Sequence, residues 1–176
     1  MKFVAVMIIC LIIIGAVLIA MKSNSKNEEQ YLRIHIRANS NEAKDQSVKY
    51  KVKESVVEYM TPKLENATSK KEAMSILEKN LNNMKKVADR TLALNGFDYT
   101  SNIRLCQEEF PVRTYGDLTL DSGVYDALII ELGSGIGDNW WCVVFPPLCF
   151  VGEENDKEEF EYKSFFEELY NKYSNK

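Results

Sequence analysis

Tyr31-Leu-Arg-Ile-His-Ile-Arg-Ala-Asn-Ser40 is the stretch on which the fold turns. Leu32, Ile34, Ile36 and Ala38 alternate with Arg33, His35, Arg37 and Asn39. A period of two predicts a half-buried strand, with apolar side chains on one face and polar ones on the other. The pattern then changes. Asn39 and Glu42 stand at capping-box spacing, and Glu42 and Asp45 suit the positive end of a helix. Val48, Val52, Val56 and Met60 form an apolar stripe, which Pro62 is expected to stop. Ser69-Lys-Lys-Glu72 is a second capping box. Its stripe of Ala73, Leu77, Leu81, Met84, Ala88 and Leu92 runs to a C-terminal stop at Asn95-Gly96. Both stripes read as core-facing.

Beyond Phe97 the texture is β. Strands are expected over Tyr99–Leu105, Phe110–Tyr115, Gly123–Leu132 and Trp140–Phe145, with a turn at Tyr115-Gly-Asp117. The Leu128-Ile-Ile run implies burial on both faces and a central strand. A closing helix is expected over Phe160–Tyr173, with Tyr162, Phe165, Phe166, Leu169 and Tyr173 at helical spacing. The order predicts an α+β fold: a mostly antiparallel sheet of 4–5 strands, two long helices on one face and a C-terminal amphipathic helix.

Phe3 to Met21 carry no charge, and 19 residues of helix span about 28 Å, close to a hydrocarbon core. Leu18 and Ile14 spoil signal cleavage after Ala20 or Ala16. Residues 1–21 therefore read as a retained anchor or a signal peptide, and either places the remainder outside the cytoplasm. Residues 22–30 are a polar tether, 31–152 the extracytoplasmic domain, and 153–176 an acidic linker with the last helix.

Charge is unevenly placed. Residues 33–90 hold 13 Lys/Arg against 8 Asp/Glu, and residues 98–138 hold 2 against 8. This implies solvated helix faces or a basic half that meets an acidic partner or lipid head groups. Basic residues interleaved with aromatics, the mark of nucleic-acid binding, are missing.

Asn139-Trp-Trp-Cys-Val-Val-Phe-Pro-Pro-Leu-Cys149 gathers both tryptophans and two of the four cysteines. Trp140 and Trp141 should face opposite sides of a strand. One belongs to the core, and the other is covered by the last helix or exposed as a contact anchor. Cys142 with Cys149 is the preferred disulfide, because Pro146-Pro147 can fold the segment back; the ring would contribute about 2–3 kcal/mol. The alternative leaves Cys106, Cys142 and Cys149 reduced and buried. No CxxC occurs and His35 is the single histidine, which argues against a metal site.

Other chemistry is weakly signalled. Gly133-x-Gly-x-Gly precedes a strand, whereas a phosphate loop must open a helix; the glycines suit positive φ in a hairpin. His35 could pair with a thiol, but no local signature supports it. Glu108-Glu109 reads as a surface pair, and Asp126 and Glu131 project to opposite faces of one strand. Arg33, His35 and Arg37 form a ladder that is either a covered or solvated polar face or a surface for a partner's carboxylates.

Three segments, in order, resemble the stage II sporulation protein R family. They are Arg33-x-His-x-x-Ala-Asn-Ser40 with Asp45-Gln-x-x-Lys-x-x-Val52, Phe110-Pro-x-Arg-Thr-Tyr-Gly116 with Gly123-x-Tyr-x-Ala-Leu128, and Asn139-Trp-Trp-Cys-Val-x-Phe-Pro-Pro-Leu-Cys-Phe150. Asp121-Ser122 and Cys106 depart from the family pattern. The resemblance implies a protein made in the forespore and exported to the space between two membranes. There it triggers a mother-cell membrane aspartic protease to process pro-sigma-E. It implies a signal and not an enzyme, with no cofactor, nucleotide or nucleic acid. Contacts are expected from Arg33, His35, Arg37, Asn39, Ser40, Asp45 and Gln46, and from Trp140, Trp141, Pro146 and Pro147. Two other readings compete with it: a hydrolase using His35, and a cell-wall binding module that stacks a tryptophan on sugar.

Overall fold

The computed structural model describes residues 7, 9, 11–14, 30–115 and 118–148. Most of the N-terminal apolar run and the tether lie outside them, as do the Gly116-Asp117 turn, Cys149, the acidic linker and the expected last helix. Among the described residues no helix is long and apolar enough to cross a membrane.

Between Leu32 and Phe145 the described residues form two helices and six strands in chain order. They are β1 (Leu32–Arg37), α1 (Ala43–Leu64), α2 (Lys70–Leu94), β2 (Ser101–Phe110), β3 (Arg113–Tyr115), β4 (Leu118–Leu120), β5 (Gly123–Leu132) and β6 (Asn139–Phe145). Four strands form one sheet in the order β2-β5-β1-β6, while β3 and β4 make a separate hairpin. The fold is α+β, as expected. Two of the three pairings in the main sheet are antiparallel, and β1 with β5 is parallel, with Ile34 opposite Leu128. The parallel pair follows from the helices. Two antiparallel helices return the chain to the end where β1 finished, so β2 runs against β1 and leaves a gap. β5 doubles back from β2 into that gap and must run with β1.

The helices form for the reasons their stripes suggest. Val48, Val52, Val56, Met60 and Leu64 of α1 are buried, with Ala73, Leu77, Met84, Ala88 and Leu92 of α2. They pack on Leu32, Ile34 and Ile36 of β1 and on Leu128, Ile130 and Leu132 of β5. Burying each large aliphatic side chain contributes about 1.5–3 kcal/mol. The Ser69 hydroxyl caps α2 by accepting from Glu72 N at 3.2 Å, and the Glu72 carboxylate reaches back to Thr68. At the other end Phe97 N donates to Leu92 O at 3.1 Å and Gly96 N to Ala93 O at 3.0 Å, with Gly96 at φ 80°. This is the Schellman stop that Asn95-Gly96 suggested.

Three expectations change. Pro62 lies inside α1, which continues to Leu64. In the last turn the missing amide loses one bond only, and the helix closes around it. Asn39 does not cap α1: the N-cap is Glu42, without a side-chain bond. β1 is buried on both faces. Arg33 and His35 are as enclosed as Ile34, because the sheet's second face is covered too. There Tyr115, Leu118 and Leu120 of the hairpin meet Phe110, Tyr125, Ile129 and Val143. β4 went unread; β2 starts at Ser101 and runs on to Phe110, and the strand expected over Phe110–Tyr115 is the short β3.

Candidate functional site

The turn from β1 into α1 is a closed polar knot. Asp45 is 2% exposed, and its carboxylate accepts from Ser40 Oγ at 2.5 Å, Asn39 Nδ2 at 2.9 Å and Tyr99 Oη at 2.7 Å. Burial pushes this carboxyl up, but the bonds from Ser40, Tyr99 and Asn39 outweigh it and hold it below the usual range. The Tyr99 hydroxyl is driven upward by its own burial and by the charge it faces. Gln46 Nε2 donates to Ser40 O at 2.8 Å, and the buried Lys49 donates to Gln46 Oε1 at 2.8 Å. Burial pushes the Lys49 ammonium down.

This knot grips the glycine loop. Asn39 Oδ1 accepts from Ser134 N at 2.9 Å, Asn41 Oδ1 from Asp138 N at 2.6 Å, and Asp138 O from Lys49 at 3.1 Å. Gly133 and Gly135 take φ 57° and 64°, as expected of glycine. Gly137 has a different reason: a Cβ there would collide with the Ser40 carbonyl. The loop is not a hairpin, since β1 lies between β5 and β6; it crosses the end of β1 to reach the far strand. β6 and no helix follows, so the loop offers no helix terminus for a phosphate.

The polar row of β1 faces the other way. Register sets Glu108 opposite Tyr125, beyond the start of β1, yet its Oε1 lies 2.5 Å from His35 Nδ1 and 2.7 Å from Arg37 Nη2. The outer arm of β2 therefore curls back across this face. Arg37 Nη1 donates to Glu131 Oε1 at 2.7 Å, and Arg104 completes the cluster on Glu131. The Arg104 bond, more than the opposing burial, lowers the Glu131 carboxyl. Arg33 lies against the rings of Phe110 and Tyr125, its guanidinium carbon 4.2 and 4.7 Å from their centroids.

These contacts explain the charge asymmetry. Arg37 meets Glu108 and Glu131, and Lys70 meets Asp126. These pairs neutralise part of the basic first half against the acidic β region inside the domain. Glu108, read as a surface group, is 17% exposed and is the hub of the polar face.

Both tryptophans are half-buried. Trp140 packs on the helix-side core with Lys53 5.5 Å from its ring, and Trp141 lies on the polar side. Trp141 stacks on His35 at 5.2 Å, with the Arg113 guanidinium 4.1 Å from its centroid. Pro146 is buried and Pro147 half-buried. Cys106 is a free, half-buried thiol. The expected partner of Cys142, Cys149, lies outside the described residues. Of the expected contact residues, Arg33, His35 and Asp45 are buried, while Arg37, Asn39, Ser40, Gln46, Trp140, Trp141 and Pro147 reach the surface in part. Tyr99, Arg104 and Arg113 are not among the expected site residues, and Glu108 and Glu131 were weighed only as a surface carboxylate and a strand-flanking one. Only their partners across the sheet reveal them.

Among the described residues no cluster of ligands could hold a metal. The class so defined is an α+β domain whose mixed sheet is helix-covered on one face and folded over a buried ionic cluster on the other. The family model described as Stage II sporulation protein R (spore_II_R) matches residues 28–155, and the chain belongs to this family. The stage II sporulation protein R of Bacillus subtilis (strain 168) is 35% identical over 138 residues, covering 74% of this chain and 62% of that protein. The chain thus spans about three-fifths of the length of this curated relative. No solved structure matches. Membership supports a role in sporulation.

Proposed function

We propose that this chain is an exported signalling protein of sporulation that binds a membrane-embedded aspartic protease of the mother cell and activates it to process pro-sigma-E. Family membership supports the sporulation role. The observation that supports a contact surface is the Arg113–Trp141–His35 stack, in which a half-exposed indole is held rigid between a cation and a buried imidazole. Rigid aromatic anchors with little entropy left to lose make strong contacts.

In this reading residues 1–21 are a signal peptide or membrane anchor that exports the chain to the intermembrane space, and 22–30 are a tether. Residues 31–152 are the signalling domain, and the acidic segment 153–176 follows it. Buried Arg33, His35 and Asp45 shape the surface. Arg37, Asn39, Ser40, Gln46, Trp140, Trp141 and Pro147 supply its accessible atoms, and a Cys142–Cys149 bridge would brace the turn after β6. Activation requires only that the domain bind the protease's active state more tightly than its resting state.

The test is reconstitution of the full chain with the protease and pro-sigma-E in one membrane preparation. Processing should require the chain and fall with Trp141→Ala while the domain's circular dichroism is unchanged. Processing that runs equally well without the chain would end this reading.

A further inference from the structure

β2 (Ser101–Phe110) is one edge of the main sheet and pairs with β5 on one side. In an antiparallel ladder alternate residues turn their backbone N–H and C=O toward the neighbour, and the rest turn them away. Two contacts fix the phase. Gly133 N donates to Thr100 O at 3.0 Å, one step before Ser101 meets Leu132, so the even-numbered residues of β2 face β5. Ser101 agrees: its outward N–H donates to Asp89 Oδ1 at 2.6 Å, and its outward C=O accepts from Lys85 Nζ at 2.6 Å. The outward backbone groups of Ile103, Leu105, Gln107 and Glu109 have no partner among the described residues.

An edge with open backbone groups is a template for another strand, and proteins that stay apart blunt it with lysine, proline or a bulge. β2 carries none of the three, and its register with β5 is unbroken from Ser101 to Phe110. Gln107 and Glu109 are exposed, while Ile103 and Leu105 are half-buried.

The strand is complementary to itself. Turned antiparallel about Cys106, two copies set Ile103 opposite Glu109 and Leu105 opposite Gln107, so all the open groups meet one another. Arg104, still 37% exposed after meeting Glu131, falls opposite Glu108 of the copy. Other registers are worse. Centring on Arg104 or Glu108 opposes like charges. Centring on Leu105 sets Glu109 against Ser101, whose groups are already taken. Centring on Gln107 sets Ile103 against Pro111, which has no N–H.

We propose that a second copy of this chain pairs with β2, antiparallel and centred on Cys106, joining the two main sheets into one. Each copy then carries β6, with Trp141, at an outer edge of the joined sheet. The pairing goes beyond the signalling contact, and its failure would leave the Trp141 surface untouched.

Cys106, a free thiol, reports the register. Its backbone faces β5, so with its own copy it makes a non-hydrogen-bonded pair, with Cα atoms about 4.5 Å apart and within disulfide reach. The experiment takes the purified full chain carrying Cys10→Ser in mild detergent and adds diamide, which accepts the two electrons and two protons that a pair of thiols releases. A dimer linked through Cys106 should form, identified by peptide mass spectrometry. Gln107→Pro removes one outward N–H and leaves the β5 ladder intact. It should abolish the linked dimer while circular dichroism and the reaction of the Cys106 thiol with iodoacetamide stay unchanged. Where Gln107→Pro does not fold, Cys106→Ser combined with Glu109→Cys carries the test. In this register position 109 lies about 20 Å along the strand from its own copy, so that chain should not link. No dimer linked through Cys106, one that survives Gln107→Pro, or equal linking from position 109 overturns the pairing.

Discussion

The Glu108 carboxylate lies 2.5 Å from His35 Nδ1, although the two residues are 73 positions apart and out of register across the sheet. The same oxygen accepts from Arg37 at 2.7 Å. One group thus holds the curled arm of β2 against β1. Glu108→Gln removes the charge that both partners face and should destabilise the domain by about 2 kcal/mol. Glu109→Gln, on the exposed side of the same strand, should change stability by less than about 0.5 kcal/mol. Urea unfolding of the two variants would measure the difference.

Gly137 and Gly96 separate two reasons for glycine. A Cβ on Gly137 meets the backbone of Ser40, which cannot rotate away, whereas one on Gly96 meets nothing within 4 Å. Gly96→Ala should therefore cost only its left-handed backbone, about 1 kcal/mol. Gly137→Ala must pry the 133–138 loop from the start of α1 and should cost about 3 kcal/mol. Thermal midpoints of the two variants give the order directly.

How far the sequence could be read followed from how local each signal is. The α1 and α2 stripes, the Ser69 cap and the Gly96 stop depend on neighbours within a turn, and they were read correctly. Pro62 misled because a proline's cost depends on how many residues follow it. The β1 alternation identified a strand but not its neighbours, so burial of its polar face and the parallel partner were invisible. Glu108 looked like a surface group for the same reason: its partners lie 71 and 73 residues away. Ser40 and Gln46 stood out from the resemblance, and Asn39 and Asp45 from the resemblance and from their place at a helix start. The structure gives them an internal duty, fastening the glycine loop to the start of α1.

Acid should loosen this knot first. Asp45 is held below its usual range because hydrogen bonds from Ser40, Tyr99 and Asn39 outweigh burial, and Asp89 because Lys85 and Ser101 outweigh burial. Glu131 is lowered chiefly by Arg104, against its burial. A carboxyl depressed in the folded state adds stability that is present above its unfolded pKa and lost as pH falls through the folded one. Unfolded Asp and Glu titrate near 4, so stability should hold from neutral pH to about 4 and fall below it. Asp45→Asn should be less stable at pH 7 and show a shallower acid limb. Urea midpoints between about pH 2.5 and 7 would show both, and an unchanged limb would remove Asp45 from the acid response.

The two tryptophans should answer differently to the same change. Trp140 packs on the helix-side core, so Trp140→Ala opens a gap beside Ile36 and should cost about 3 kcal/mol. Trp141 is held by stacking between Arg113 and His35 and keeps an accessible edge. Its removal also loses packing, but the His35–Glu108 bond remains beneath it, and about 1–2 kcal/mol is the expected cost. Arg113→Ala isolates the outer half of the stack and should cost less than about 1 kcal/mol. Stability then separates from signalling. If the stack is the contact, Arg113→Ala and Trp141→Ala lower pro-sigma-E processing far more than their unfolding midpoints fall. Trp140 gives the surface fewer accessible atoms and the core more packing, so Trp140→Ala should lower processing and the unfolding midpoint together. Processing that tracks stability across all three variants would mean that the indoles serve the fold alone.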